Sequence, residues 1–262
     1  MDAELTEVEA ERRKRDRIKD FAKRVVPVPL SVRTSDLPRR AFSALVMLLV
    51  AGGAFAVGGW VFELLVLVVA FVAFLEFTRL VWRATKKPLV RALGVIGGAL
   101  YIGLAAAIIT GLGDFLVILI LGVTIFTDTG AYFTGRAIGG PKIAPRISPS
   151  KTWAGLLGGM FFSALWVVGW VLAIDRGADW MGPRFELGMS LGVENIGLAI
   201  VLGAALAIVA QAGDFFESFL KRKAAMKDSS NLIPGHGGVF DRVDGLLPVA
   251  IVTGTVATMA VG

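Results

Sequence analysis

The 262-residue sequence contains no cysteine, a single histidine and few charged residues, which make up 18% of the chain. Without cysteine a disulfide scaffold is excluded, and with one histidine a zinc site is not expected. Soluble domains carry about 25% charged and about 45–50% apolar residues, whereas 55% of this chain is hydrophobic. The deficit of charge therefore predicts a membrane-embedded protein rather than a soluble or disordered one.

Seven long apolar runs divide the sequence. They lie at 41–58, 60–78, 93–110, 113–133, 153–174, 191–213 and 244–261. Because a transmembrane helix needs about 20 apolar residues, we expect an all-α fold, a polytopic integral membrane helical bundle of about seven spans. The 32 glycines suit close packing of such helices. No nucleic-acid partner is expected.

The basic residues indicate an orientation. If the N-terminus is cytoplasmic and the spans alternate, 25 of the 27 lysines and arginines fall on the cytoplasmic side, leaving only Arg176 and Arg184 outside. Cytoplasmic loops of membrane proteins carry such an excess. We therefore expect a cytoplasmic N-terminus in the inner (cytoplasmic) membrane of the cell, with the active site facing the cytoplasm.

Two regions are expected in the chain. Residues 1–39 form a basic cytoplasmic segment, in which apolar residues between Ile18 and Val26 follow helical spacing. This pattern fits either an amphipathic helix on the membrane surface or a solvated tail. Residues 40–262 are expected to form the membrane-embedded catalytic domain.

Carboxylates collect in two polar stretches, 128–155 and 211–244, on the same predicted side of the membrane. Charged groups at membrane depth are costly, so they usually line a wet cavity and have partners. Clustered carboxylates suit Mg²⁺, which prefers oxygen ligands and shares them with substrate phosphates. The candidate oxygen ligands are Asp128, Asp214, Glu217, Asp228, Asp241 and Asp244. Ion pairs at the interface are the alternative for each acid, and Asp128 could instead cap a break in its helix.

Cations are interleaved with these acids, and such groups bind phosphate and offset the charge that develops in phosphoryl or nucleotidyl transfer. The candidates are Arg146, Lys151, Lys221, Arg222, Lys227 and Arg242. Alone, each would do no more than satisfy the topology or contact anionic lipid. Their combination with carboxylates and glycines favours a phosphate-binding site.

Pro234-Gly235-His236-Gly237-Gly238 predicts a turn whose backbone N–H groups can approach phosphates. His236 is expected to contact phosphate or base rather than to transfer a proton. Gly155 and Gly159, in the fifth run, form a Gly-x-x-x-Gly pair that indicates either close helix packing or a homodimer contact.

The stretch from Ser218 to Asp244 resembles the signature of phosphatidate cytidylyltransferases (CDP-diacylglycerol synthases). Its Ser, Lys-Arg, Lys-Asp, Pro-x-His-Gly-Gly and Asp-Arg-x-Asp elements are all present. Upstream, Ser148, Lys151 and Thr152 match Ser-Pro-x-Lys-Thr-x-Glu-Gly, but Ala154 stands where that motif has Glu. The family's spans are usually counted higher than seven.

The resemblance implies transfer of CMP from CTP to phosphatidate, giving CDP-diacylglycerol and pyrophosphate for phospholipid biosynthesis. It implies Mg²⁺ bound at Asp214 and Asp241, with Asp128 and Asp244 as further expected metal ligands and a second cation left open. CTP, phosphatidate and membrane lipid are the expected partners. The expected catalytic residues are Asp214, Lys221, Arg222, Lys227 and Asp241. The expected substrate-binding residues are Ser148, Lys151, Thr152, Ser218, His236, Gly237, Gly238 and Arg242.

Two other functions stay open at this stage. A CTP-dependent lipid kinase of the dolichol-kinase type would use the same donor but release CDP instead of pyrophosphate. A cation-coupled transporter would use Asp128 and Asp214 as ion ligands near the membrane midplane, although the polar residues crowd one face and no inverted repeat is visible.

Overall fold

The computed structural model describes residues 37–175 and 195–261. Its elements in chain order are α1 (Leu37–Val57), α2 (Gly59–Ala84), α3 (Pro88–Gly111), α4 (Asp114–Ala137), β1 (Lys142–Ala144), β2 (Ser148–Thr152), α5 (Trp153–Asp175), α6 (Ile196–Lys223), α7 (Phe240–Val243) and α8 (Leu246–Val261). Two compact units are distinguished, residues 1–49 and 50–262, and the second contains every element from α2 onward.

Helices α2 to α6 are each long and apolar enough to cross a membrane, whereas α1 and α8 contribute shorter apolar segments, Ala41–Val57 and Leu246–Met259. The prediction of a helical membrane protein is confirmed. The count of seven spans, the cytoplasmic N-terminus and the boundary at residues 39 and 40 stay predictions. The candidate amphipathic segment between Ile18 and Val26 lies outside the described residues.

Two apolar clusters hold the helices of the second unit together. One contains Ile120, Val167, Leu206 and Val249 and joins α3, α4, α5, α6 and α8. The other joins α2 and α3 to the end of α6, to α7 and to α8. On its outer face α2 leaves large side chains exposed at helical spacing, as a lipid-facing helix does. These are Trp60, Leu64, Leu67, Phe71 and Leu75.

Helices α4 and α5 approach closely at glycines. A Cβ atom on Gly155 would lie 3.0 Å from the carbonyl oxygen of Ala131, and one on Gly159 would lie 3.0 Å from that of Thr127. The Gly-x-x-x-Gly pair therefore packs against α4 of the same chain, which is the first of its two interpretations. A homodimer stays a prediction.

The segment between α4 and α5 departs from the expected all-α fold, because β1 and β2 pair as an antiparallel hairpin. Lys142 lies opposite Thr152, and Ala144 lies opposite Ser148. Prolines at 141, 145 and 149 disfavour a helix here. Short strands pair part of the backbone of this connection instead, and the long elements on either side of it are helices.

Helix α4 also runs unbroken through Asp128. The interpretation in which Asp128 caps a break in its helix is therefore wrong. Its carboxylate belongs to a continuous helix and projects from the last three turns.

Candidate active site

One polar cavity of about 660 Å³ collects residues from both predicted stretches. Ligand sites for small molecules commonly measure about 300–1,000 Å³. Its walls come from the end of α4, from β2, from the second half of α6 and from the segment before α8. The charged residues that line it are Asp128, Arg136, Lys142, Lys151, Asp214, Asp241, Arg242 and Asp244. All four predicted metal ligands and two predicted phosphate-binding cations therefore share one cavity.

Lys151 and Asp214 form an ion pair within this cavity. They lie in β2 and α6, and their side chains are 21% and 18% exposed. Burial lowers the pKa of the Lys151 amine, while Asp128 and Asp244 act in the opposite direction. The hairpin therefore places the partly buried Lys151 amine among the carboxylates of the cavity.

A second cation, Lys221, bridges two acids. Its Nζ donates to Glu217 Oε2 at 2.6 Å and to Asp241 Oδ1 at 2.9 Å. Glu217 is 2% exposed, and its other oxygen, Oε1, is buried without a hydrogen-bond partner among the described residues. Lys221 thus compensates carboxylates on α6 and on α7, which fixes the two elements relative to each other.

Asp241 also organises the glycine turn beside it. Its Oδ2 accepts hydrogen bonds from the amides of Gly238 at 2.8 Å and Ser229 at 3.0 Å. Although burial alone would raise it, the pKa of Asp241 is lowered to about 2 by its interactions with Glu217, the Gly238 amide and Lys221. The predicted turn is confirmed, since Ile233 N donates to Gly237 O at 2.8 Å and Gly235 and Gly237 have positive φ angles.

Other predicted site residues lie around this cavity rather than in its lining. Arg222 donates from Nε to the Ile147 carbonyl at 3.1 Å and so ties the end of α6 to the hairpin. Ser148 is buried in β2, whereas Lys227 is exposed. Ser218, His236 and Gly237 are half-buried. Their contacts with substrate stay predictions.

Thr152 lines the cavity and also begins a helix. Its Oγ1 accepts a hydrogen bond from the Gly155 amide at 3.0 Å, as a threonine that caps a helix N-terminus does. Thr152 therefore has a structural role in addition to its predicted contact with substrate.

The oxygen ligands of the cavity fit Mg²⁺, although no group of three or more acidic, histidine or cysteine side chains within residues 37–175 and 195–261 is already arranged to hold a metal. Mg²⁺ usually takes one or two protein carboxylates and completes its shell with waters and phosphates. Asp128, Asp214 and Asp244 line the cavity, and Gln211 Oε1 is a buried oxygen without a partner in the part of the chain described. Burial raises the pKa of Asp244, so a nearby divalent cation would favour its ionised form.

Sequence reasoning missed several residues of this region. Arg136 and Lys142 line the cavity, but the sequence argument used them only as basic residues that indicate the orientation in the membrane. Gln211 also lines it from within an apolar run. Glu76, 6% exposed in α2, hydrogen-bonds to the segment that carries Asp241. An acid inside an apolar run is itself a signal of function, and it could have drawn attention to Glu76.

A second cavity, of about 830 Å³, is lined almost entirely by apolar groups from α2, α3, α6 and α8. Tyr101 and Gly213 lie in its wall, and Lys223 lies where α6 ends. Gly97 faces open space in this cavity. Because Gly213 lines this cavity while Asp214 lines the polar one, α6 separates the two.

Residues 82–260 match the cytidylyltransferase family, and this range contains the polar cavity. The chain belongs to that family. It is 44% identical over 137 residues to a phosphatidate cytidylyltransferase of Brucella suis biovar 1 (strain 1330), an alignment that covers 51% of this chain and 43% of the relative. The resemblance of the Ser218–Asp244 stretch is thereby confirmed at the level of the family.

Two further relatives carry the same name. A phosphatidate cytidylyltransferase of Haemophilus influenzae (strain ATCC 51907 / DSM 11121 / KW20 / Rd) is 40% identical over 134 residues, covering 51% of this chain and 42% of the relative. One of Rickettsia bellii (strain RML369-C) is 37% identical over 139 residues, covering 53% and 56%. The chain thus spans about half the length of the curated relatives it matches.

Proposed function

We propose that this chain transfers CMP from CTP to phosphatidate, forming CDP-diacylglycerol and pyrophosphate. The observation that carries the proposal is the single cavity in which Asp128, Asp214, Asp241 and Asp244 meet Lys151 and Arg242. Family membership and the names of the relatives support the same chemistry. Two polyanions must meet in this reaction, so the site has to supply charge neutralisation and alignment.

The chemical step needs little proton transfer. A phosphate oxygen of phosphatidate forms a bond to the α-phosphorus of CTP, and the bond from that phosphorus to the bridging oxygen breaks to release pyrophosphate. The phosphate of a phosphomonoester is largely ionised at pH 7, because its second pKa is about 6. The attacking oxygen therefore requires no strong general base, which fits a cavity whose lining contains no histidine.

The cations and acids of the cavity have separate roles in this proposal. Lys151 and Arg242 bind phosphate oxygens of CTP and orient the triphosphate, while Lys221 holds Asp241 in place. Asp214 and Asp241, with Asp128 and Asp244 beside them, hold Mg²⁺. When bound, Mg²⁺ offsets the negative charge on the phosphates.

The apolar cavity suits the lipid half of the substrate. Its wall offers apolar side chains from α2, α3, α6 and α8, with Lys223 at the end of α6. We place an acyl chain of phosphatidate there, because its methylenes would make dispersion contacts with the apolar side chains of the wall. The excess of basic residues supports a cytoplasmic site in the inner membrane, where cytosolic CTP would meet a lipid of the inner leaflet.

The proposal is tested with the purified full chain, Mg²⁺, labelled CTP and phosphatidate. We expect CDP-diacylglycerol and pyrophosphate in equal amounts. Release of CDP with a phosphorylated lipid would instead identify a CTP-dependent kinase. If monodisperse, folded protein forms neither product, the proposal is wrong.

A further inference from the structure

Glu76 is a buried carboxylate of α2 that lies outside the lining of the polar cavity. Four donors surround it. Oε1 accepts from Ser230 Oγ at 2.5 Å and from Val239 N at 3.2 Å. Oε2 accepts from Ser229 Oγ at 2.9 Å and from Phe240 N at 2.7 Å. One side chain of a membrane helix therefore fixes both ends of the segment 229–240.

The same segment also donates hydrogen bonds to Asp241. Ser229 donates its hydroxyl to Glu76 and its amide to Asp241. The Gly238 amide donates to Asp241 as well, and the α-carbon of Gly238 faces Ser229 and Glu76 so closely that a side chain has no room. Two carboxylates thus accept hydrogen bonds from the same segment, and Ser229 links them directly.

Aromatic packing reinforces this arrangement. Phe77, next to Glu76, meets Phe240 edge to face with ring centroids 5.6 Å apart. Phe240 is 1% exposed. Because Phe240 precedes Asp241, the carboxylate and the ring on α2 together set the position of α7.

We propose that Glu76 is a positioning residue, which acts on the reaction by holding the segment 229–240 so that Asp241 faces the polar cavity. This inference rests on the proposed function. A carboxylate is required because each of its oxygens faces a backbone N–H together with a hydroxyl. In glutamine the amide nitrogen would replace one oxygen and would confront an N–H donor, leaving that donor unpaired.

The test compares Glu76→Gln with Glu63→Gln in the purified full chain. Glu63 is a matched control, since it lies in the same helix and is exposed. Hydrogen exchange is measured at the amides of Val239 and Phe240, which bond to Glu76, and at those of Ser229 and Gly238, which bond to Asp241. Turnover and KM are measured per folded molecule, with the folded fraction taken from size-exclusion chromatography.

In Glu76→Gln we expect exchange to accelerate by about tenfold or more at all four amides, the effect of losing a charge-assisted hydrogen bond. Turnover per folded molecule should fall by a similar factor, while Glu63→Gln matches the unsubstituted chain. Unchanged exchange at Ser229 and Gly238 would overturn the proposal, because Glu76 would then act only locally. Unchanged turnover per folded molecule would overturn it as well.

A milder variant covers the case in which Glu76→Gln does not fold. Ser230→Ala removes one donor to Oε1 and leaves the charge of Glu76 in place. We expect the same direction of change, by about two- to fivefold, and no change in exchange at Ser229 and Gly238 would again overturn the proposal. The exchange measurement needs no substrate, so it decides whether Glu76 positions Asp241 even in a chain that makes no CDP-diacylglycerol, a result that would refute the proposed function separately.

Discussion

Lys151 on β2 and Asp214 on α6 neutralise each other across the polar cavity, although 63 residues separate them in the sequence. One is an expected phosphate ligand and the other an expected metal ligand. Each satisfies the other's charge at a partly buried site. Binding of a nucleotide together with a divalent cation at these groups would give both of them new partners, so it would have to break this ion pair.

This pair gives a first prediction. Lys151→Gln and Asp214→Asn should each reduce turnover by at least about 10²-fold, the usual effect of removing one group that stabilises developing charge. The exchanged double variant, Lys151→Asp with Asp214→Lys, should regain thermal stability without regaining turnover. Initial rates of CDP-diacylglycerol formation and thermal unfolding check both statements. Lys86→Gln, in an exposed loop, serves as the control. Recovery of turnover in the exchanged variant would show that the pair is only structural.

A second prediction concerns the bridge formed by Lys221. Lys221→Met leaves Glu217 and Asp241 buried without their shared cation, and breaking a buried pair in this way costs about 3–5 kcal/mol. The free energy of unfolding, measured by denaturant titration in detergent, should fall by that amount. Lys223→Met removes an exposed cation that lies 5.6 Å from the Phe219 ring, and it should cost no more than about 1 kcal/mol. Equal losses in the two variants would contradict the bridging role.

A third prediction follows from the space at Gly238. A methyl group there would collide with Ser229 and Glu76, so Gly238→Ala should lower the free energy of unfolding by about 1–3 kcal/mol. The variant should also lose turnover, because the amide of Gly238 binds Asp241. Gly97→Ala, on an open face of α3, should leave the free energy of unfolding unchanged or raise it. A stable, active Gly238→Ala variant is incompatible with the close contact.

A fourth prediction tests the apolar cavity. Gly97→Phe would place a ring in part of this cavity, because nothing lies within 4 Å of the position where a Cβ would be. The KM for long-chain phosphatidate should rise by at least about tenfold, a loss of about 1.4 kcal/mol of binding free energy, because the ring would occupy space that we assign to the acyl chain, and the KM for CTP should not change. Gly103→Phe on the same helix also faces open space but lies outside this cavity. If both variants behave alike, the acyl chain binds elsewhere.

Much of the fold was predictable because the chain follows the composition rules of membrane helices. Each of the seven apolar runs corresponds to a helix among the described residues, and five of these helices, α2 to α6, are long and apolar enough to cross a membrane. The cavity was predictable for a related reason. Acids such as Asp128 and Asp214 are too costly in an apolar environment to stand alone, so two polar stretches on one predicted side were expected to meet.

Contacts between distant residues were beyond the reach of the same reasoning. Nothing in the local sequence of Glu76 specifies that its partner is Ser229, which is 153 positions away. The hairpin also escaped prediction, since three-residue and five-residue strands carry too little periodicity to be distinguished from a loop. The bridge by Lys221 depends likewise on how α7 returns to α6, which is a property of the packed structure.

Helix α2 has two faces with different neighbours. Its outer face, from Trp60 to Leu75, exposes large apolar side chains, while Glu76 and Phe77 hold the segment that leads to Asp241. A helix can adapt to hydrocarbon thickness by tilting, and tilt of α2 would move Glu76, the segment that it binds and therefore Asp241. Turnover should therefore be compared across bilayers of different thickness, because the thickness of the bilayer would then affect the position of an acid in the site.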